Sequence, residues 1–170
     1  MSDKGSAGIV GAARTLIHGW ALAGGCVLLV VIAINMISVL GSIFWKPFPG
    51  DFELTEVGVA IAAFSFLPYC QISYSNVTAD IFTANASPRF VAFLTMVASV
   101  IAFLFSLLLL WRMYEGMWDQ KKYGYTTAIL QFPEWIAYIP YLISLALLAI
   151  ATMITFGENA SKLVARHGHD

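Results

Sequence analysis

Charged side chains divide this sequence into four long uncharged stretches, which restrict the fold more than any other feature. The stretches lie between Arg14 and Lys46, Glu56 and Asp80, Arg89 and Arg112, and Glu134 and Glu158. A helix rises about 1.5 Å per residue and needs roughly 20 residues to cross the hydrocarbon core, so each stretch can span a bilayer. The sequence therefore predicts an all-α integral membrane protein with four transmembrane helices.

The composition supports a membrane class. Only 11% of the 170 residues are charged and 59% are hydrophobic, whereas about a quarter of a soluble domain is charged. The formal net charge is −1, and the few charges lie between the apolar stretches instead of forming one basic patch. The lipid bilayer is thus an expected partner, and nucleic acid is not.

The residues before the first span predict a separate feature. This first apolar stretch is too long for a signal-peptide core, so we expect it to be retained. Five apolar residues leading into the first span recur at helical spacing: Ile9, Ala13, Leu16, Ile17 and Trp20. Arg14 and His18 fall on the opposite side, which predicts an N-terminal amphipathic helix at the membrane interface.

The four spans are predicted at about 20–45, 54–79, 88–111 and 133–157, within a single membrane domain covering residues 1–170. Two prolines and a glycine between Lys46 and Asp51 end the first span. Proline in the first turn marks the start of the third and fourth spans. Helical spacing continues after Trp111, so we expect the third helix to extend along the membrane interface.

Tryptophans and basic residues predict how the helices sit in the membrane. Five tryptophans near span ends are candidate interfacial anchors: Trp20, Trp45, Trp111, Trp118 and Trp135. Five Lys and Arg residues lie on the side of the two termini and four on the other side. This slight excess favours cytoplasmic termini.

The sequence contains no pattern typical of a catalytic, cofactor or metal site. Haem in a membrane bundle needs facing ligands at bilayer depth, but His18, His167 and His169 lie outside the spans. Cys26 and Cys70 fall in different apolar stretches, where thiols behave as small hydrophobes. Because charged residues lie only at the ends of the predicted spans, a self-sufficient ion-coupled carrier is also disfavoured. We therefore expect neither an enzyme nor a cofactor protein.

Small and uncharged polar residues inside the spans are candidate helix-contact positions. Those selected as candidate subunit contacts are Asn35, Ser38 and Ser42 in the first span and Gly58, Ala62 and Gln71 in the second. Small residues let helices approach, and each polar bond between helices contributes roughly 0.6 kcal/mol. The pattern fits either packing among the four helices or docking on a partner subunit.

Three segments resemble a known family. They are the acidic entry Glu53–Glu56 with its run to Asp80, the aromatic and charged exit Trp111–Glu115, and the segment Gly124–Pro140 leading into the last helix. Their order and spacing are similar to the DctQ-type small membrane subunit of tripartite ATP-independent periplasmic (TRAP) transporters. One departure is Asn76, near the place where this family often has a histidine.

The resemblance implies an accessory, scaffolding subunit in the bacterial inner membrane. Its expected partners are a large permease subunit holding the substrate and sodium sites, and a periplasmic substrate-binding protein. Expected substrates are small organic acids. The segments Lys46–Glu56 and Arg112–Glu134 would then face the periplasm. The alternative is a cofactor-free membrane anchor of a respiratory or redox complex, which neighbouring genes would distinguish.

Overall fold

A computed structural model describes residues 3–44, 46–73 and 88–166, and these form four long helices. The helices are α1 (Asp3–Phe44), α2 (Asp51–Ile72), α3 (Pro88–Tyr123) and α4 (Trp135–Arg166). Each contains a segment long and apolar enough to cross a membrane: Val10–Phe44, Asp51–Ile72, Met96–Tyr123 and Trp135–Gly157. The predicted all-α class and the four spanning helices are confirmed.

The helix bounds refine the predicted spans. The helix α1 is uninterrupted over 42 residues, about 63 Å, so it is twice as long as the roughly 30 Å hydrocarbon core. The predicted N-terminal amphipathic helix is therefore continuous with the first span, and its place at the membrane surface stays a prediction. The helix α3 continues past Trp111 to Tyr123, although its interfacial position is likewise a prediction. The predicted end of the second span, residues 74–79, lies outside the described residues.

The start of α2 depends on a glycine. Gly50 has φ 79° in the left-handed region, which glycine adopts without the steric cost of a β-carbon. Asp51 and Glu53 follow in the first turn, where the positive end of the helix dipole favours carboxylates. The chain can therefore reverse sharply after Pro49 and begin a membrane helix at once.

The helices are arranged as an open row. Extensive contacts join α1 to α2, α2 to α4, and α4 to α3, while α1 touches α4 at only a few points. Within the described residues α3 has no comparable contact with α1 or α2. The order across the row is thus α1, α2, α4, α3. Its two outer helices leave most of their surface available to lipid or to another protein.

A small core joins α1, α2 and α4 near the N-terminal half of α1. Ile17 of α1, Ile72 of α2, and Leu147 and Ala151 of α4 are buried together. Trp20, Tyr69 and Ile154 pack against this group and cover its edge. Because Ile17 is completely buried, this part of the predicted amphipathic face contacts the protein's own helices.

Candidate subunit contacts and the loop end of the helix row

Small residues allow α1 and α2 to pack closely. A β-carbon added at Gly58 would overlap the side chain of Val31 in α1. A β-carbon at Gly24 would lie 2.6 Å from the β-carbon of Ser65, and Ala62 is only 1% exposed beside it. Gly58 and Ala62 thus contact α1 of the same chain, and their predicted contact with a partner subunit stays a prediction. Sequence analysis did not select Gly24, although it is a small residue in the first span.

Two of the three polar candidates in α1 bond to α2. The Asn35 side-chain amide donates to the hydroxyl oxygen of Thr55 at 2.7 Å. The Ser38 hydroxyl donates to the carboxylate of Asp51 and accepts from the backbone N–H of Phe48 at 3.3 Å. These bonds join the end of α1 to the start of α2 on either side of the connecting turn.

Ser42, the third candidate, differs from the other two. It is exposed, and its hydroxyl donates to the backbone carbonyl of Val39 in the same helix at 2.7 Å. The three residues, selected together from the sequence, therefore have different surroundings in the structure. Asn35 and Ser38 contact α2, whereas Ser42 remains on the surface.

Polar contacts also join α4 to its neighbours. The Gln71 side-chain amide donates to the hydroxyl of Thr155 at 3.1 Å. The indole N–H of Trp20 donates to the hydroxyl of Ser144 at 2.9 Å. Ser144 and Thr155 are both buried, so these bonds satisfy polar groups inside the row. Trp20, predicted as an interfacial anchor, therefore also fixes α1 against α4.

Three of the remaining tryptophans lie near the loop end of the row, which is the end of the helices where the α1–α2 and α3–α4 connections lie. Trp111 and Trp118 are exposed on α3, and Trp135 begins α4. The ammonium nitrogen of Lys121 lies 5.3 Å from the Trp118 ring and 5.2 Å from the Trp135 ring. Such distances are typical of cation–π contacts. Trp45 lies outside the described residues, and the membrane depth of all five predicted anchors stays a prediction.

A cavity of about 490 Å³ opens between α2, α3, α4 and the α3–α4 loop. Three carboxylates, Glu53, Glu56 and Glu134, line it together with Tyr138 and Tyr141. None of its lining residues is basic. Among residues 3–44, 46–73 and 88–166, no three His, Cys, Asp or Glu side chains are placed to hold a metal ion.

The Glu53 carboxylate holds the α3–α4 loop against α2. Its two oxygens accept hydrogen bonds from the backbone N–H groups of Ile129 at 2.7 Å and Leu130 at 3.0 Å. Leu130 also covers Gly50, where a β-carbon would lie 2.5 Å from its γ-carbon. Sequence analysis placed Glu53 only at a span end, because its partners are backbone groups 76 and 77 residues away.

Comparison with known proteins identifies one family. The family model described as "Tripartite ATP-independent periplasmic transporters, DctQ component" matches residues 31–161, well over half of the chain. No curated protein and no solved structure matches.

Replacing Gly58 with leucine should destabilise the α1–α2 contact. The new side chain has no space beside Val31, and overpacking of this kind typically costs 1–3 kcal/mol. The expected result is a lower midpoint of thermal unfolding in detergent, followed by circular dichroism. Gly25→Leu is the matched control, since nothing lies within 4 Å of a β-carbon there. Equal midpoints for the two variants would contradict the close contact.

Replacing Glu53 with alanine should release the α3–α4 loop, because the amides of Ile129 and Leu130 lose their acceptor. Hydrogen–deuterium exchange of the peptide containing these amides should become faster. Glu56→Ala is the control, since Glu56 lines the same cavity without accepting these two bonds. Unchanged exchange in Glu53→Ala, or equal acceleration in both variants, would exclude the specific role of Glu53.

Proposed function

Because the chain belongs to the DctQ family, the small permease component of TRAP transporters, we propose that it is the scaffold subunit of a sodium-coupled importer of small organic acids. Its four apolar helices make it a multi-pass membrane protein. On this proposal it lies in the bacterial inner membrane with both termini in the cytoplasm. The family match favours this role over a membrane anchor for a redox complex.

The observation that most supports a scaffold is the open row of helices. The helix α1 has one extensive neighbour, α2, and large apolar side chains such as Ile37, Leu40 and Ile43 are exposed along it. A large permease subunit could pack along this outer surface without disturbing the row. Since lipid is as apolar as leucine, the specificity of such packing would come from shape and from a few polar groups.

A groove beside α1 is the proposed contact for the large subunit. It has a volume of about 550 Å³ and is lined by residues of α1 and α2, including Asn35, Met36 and Val59. Gly58 lies against Val31, Asn35 bonds to Thr55, and the groove is lined by Val31, Asn35 and Thr55. Ser42 lies exposed on the same helix. The other candidate contact residues hold the helices of this chain together and so shape the docking surface without contacting the large subunit. They are Ser38, Gly58, Ala62 and Gln71.

The chemistry of transport is assigned to the partner subunits. Moving a charged substrate and its coupling ion requires compensation for lost water at hydrocarbon depth, usually by charged side chains or freed backbone carbonyls. The four uncharged stretches supply no charged side chain there. This favours a large permease subunit that holds the substrate and sodium sites beside the present chain.

The loop end of the row is the proposed periplasmic surface. The segments Lys46–Glu56 and Arg112–Glu134 are distant in sequence, but Glu53 bonds to Ile129 and Leu130 and so joins them. Both segments therefore lie at the same end of the helices, where a periplasmic binding protein could meet their charged residues. The charged side chains exposed on α3, including Arg112, Glu115 and Asp119, are suited to a partner that binds and leaves repeatedly.

Reporter fusions test the orientation. A periplasm-specific and a cytoplasm-specific enzyme reporter, each inserted at Gly50 and at Gly124, should report periplasm at both sites. Both glycines lie in segments that connect two helices, so each reporter reads the side of the membrane reached by that connection. The same reporters at the C-terminus serve as the control and should report cytoplasm. A cytoplasmic signal at Gly50 or Gly124 would reverse the orientation.

Reconstitution tests the assignment of transport. Liposomes holding this chain alone should show no sodium-driven uptake of radiolabelled C4-dicarboxylates, keto acids or sialic acid. Uptake should appear when the large subunit and binding protein are added, and should fail when only the present chain is omitted. Saturable, sodium-dependent uptake by the single chain would overturn the scaffold role.

A further inference from the structure

The loop between α3 and α4 carries no charge over a long segment. From Tyr123 to Pro133 there is no Asp, Glu, Lys, Arg or His. Its larger side chains are nevertheless exposed: Tyr125 by 55%, Ile129 by 60%, Leu130 by 40% and Phe132 by 38%. A loop surrounded by water usually displays polar residues, so this surface requires an explanation.

The backbone of the same loop is bonded within the protein. Thr127 N–H donates to the Phe132 carbonyl at 3.0 Å, and Phe132 N–H donates to the Thr127 hydroxyl at 3.1 Å. Together with the bridge between Thr126 and Pro133, these bonds make residues 124–134 a hairpin. Gln131, with φ 50°, allows its reversal.

Further donors of this hairpin also have protein acceptors. Tyr125 N–H donates to the Gln120 carbonyl and Glu134 N–H to the Tyr125 carbonyl, each at 3.2 Å. At the tip, Ile129 and Leu130 donate to Glu53. These bonds leave fewer backbone groups dependent on water, which lowers the cost of placing the hairpin at the membrane interface.

The hairpin tip lies beside the starts of two candidate spans. Its bonds to Glu53 place it beside the first turn of α2, whose candidate span begins at Asp51. Thr127 and Ala128 line the cavity together with Ala137 and Tyr141 of the α4 span. The tip therefore folds back over the starts of two spans. Its exposed apolar side chains therefore lie close to the ends of two candidate spans.

From these observations we propose that residues 124–133 are an interfacial membrane anchor. The outer face of the hairpin, formed by the exposed side chains of Tyr125, Ile129 and Phe132, lies at the boundary between lipid headgroups and acyl chains. Leu130 is partly exposed beside it and packs on Gly50. The inner face of the hairpin, held by Glu53, borders the acidic cavity. Aromatic and apolar side chains are favoured at this boundary. The hairpin sets the depth of α2, α3 and α4 at the loop end of the row.

Lipid fits this surface better than a soluble protein partner does. Reversible partners are oriented by charge, and the hairpin offers none on its outer face. The cation–π contacts of Lys121 with Trp118 and Trp135 fix the base of the hairpin beside the charged part of α3. A binding protein would therefore meet that charged part, while the hairpin remains in the membrane. This inference depends on the membrane fold and not on the proposed transport role.

A nitroxide spin label at position 129 tests the proposal. Cys26 and Cys70 are first replaced with alanine, and Ile129→Cys is labelled in the full chain, both alone and with the subunits that co-purify with it. The samples are reconstituted in phosphatidylethanolamine–phosphatidylglycerol vesicles. Collision rates with oxygen, which concentrates in lipid, and with a water-soluble nickel chelate are then measured by electron paramagnetic resonance.

We expect the label at position 129 to collide more often with oxygen than with nickel chelate in both samples. The ratio of its oxygen collision rate to its nickel-chelate collision rate should lie between the ratios of two exposed controls. These are Leu104→Cys on the apolar part of α3 and Asp119→Cys on its charged part. A label at Phe132→Cys should give the same result. Nickel accessibility equal to that of Asp119→Cys would overturn the proposal in favour of a water-exposed loop. Protection from both reagents would overturn it in favour of a protein contact.

Discussion

The absence of water from the hydrocarbon core is the constraint on which the rest of this structure depends. Every backbone polar group there needs a partner within the protein, and every charged side chain is costly. The chain meets both demands with four long helices whose central stretches carry no charge. Charged residues of the described chain accordingly gather near helix ends and connecting segments, where Asp51 and Glu53 acquire their structural partners.

Helix packing within this constraint relies on small side chains and short polar bonds. Gly58 and Gly24 allow α1 and α2 to approach, while Asn35 and Ser38 bond to α2 near the connecting turn. The helix α4 has the greatest contact, because it lies between α2 and α3. The outcome is a row rather than a closed bundle, and a row offers far more lateral surface to a second membrane protein.

The loop end of the row combines features that a single helix could not provide. Glu53 brings the hairpin tip to the start of α2, and the enclosed cavity then has acidic walls. The apolar outer face of the hairpin and the charged end of α3 lie side by side but differ in chemistry. A membrane-anchored hairpin would present that charged end to the periplasm at a constant height. The proposed scaffold role requires such a fixed reference for moving partners.

The sequence by itself determined the membrane class and the number of spanning helices, because charge, hydropathy and proline positions are local properties of the chain. The order of its motifs resembles the family that the family model then identified. Tertiary structure alone decided the order of the row and the partners of each polar group. Asn35, Ser38 and Ser42 share helical spacing, yet only the first two bond to α2. Likewise, Glu53 accepts from backbone N–H groups that any residue other than proline could supply. Such contacts depend on the rotation and depth of each helix relative to its neighbour, which a one-dimensional pattern does not specify.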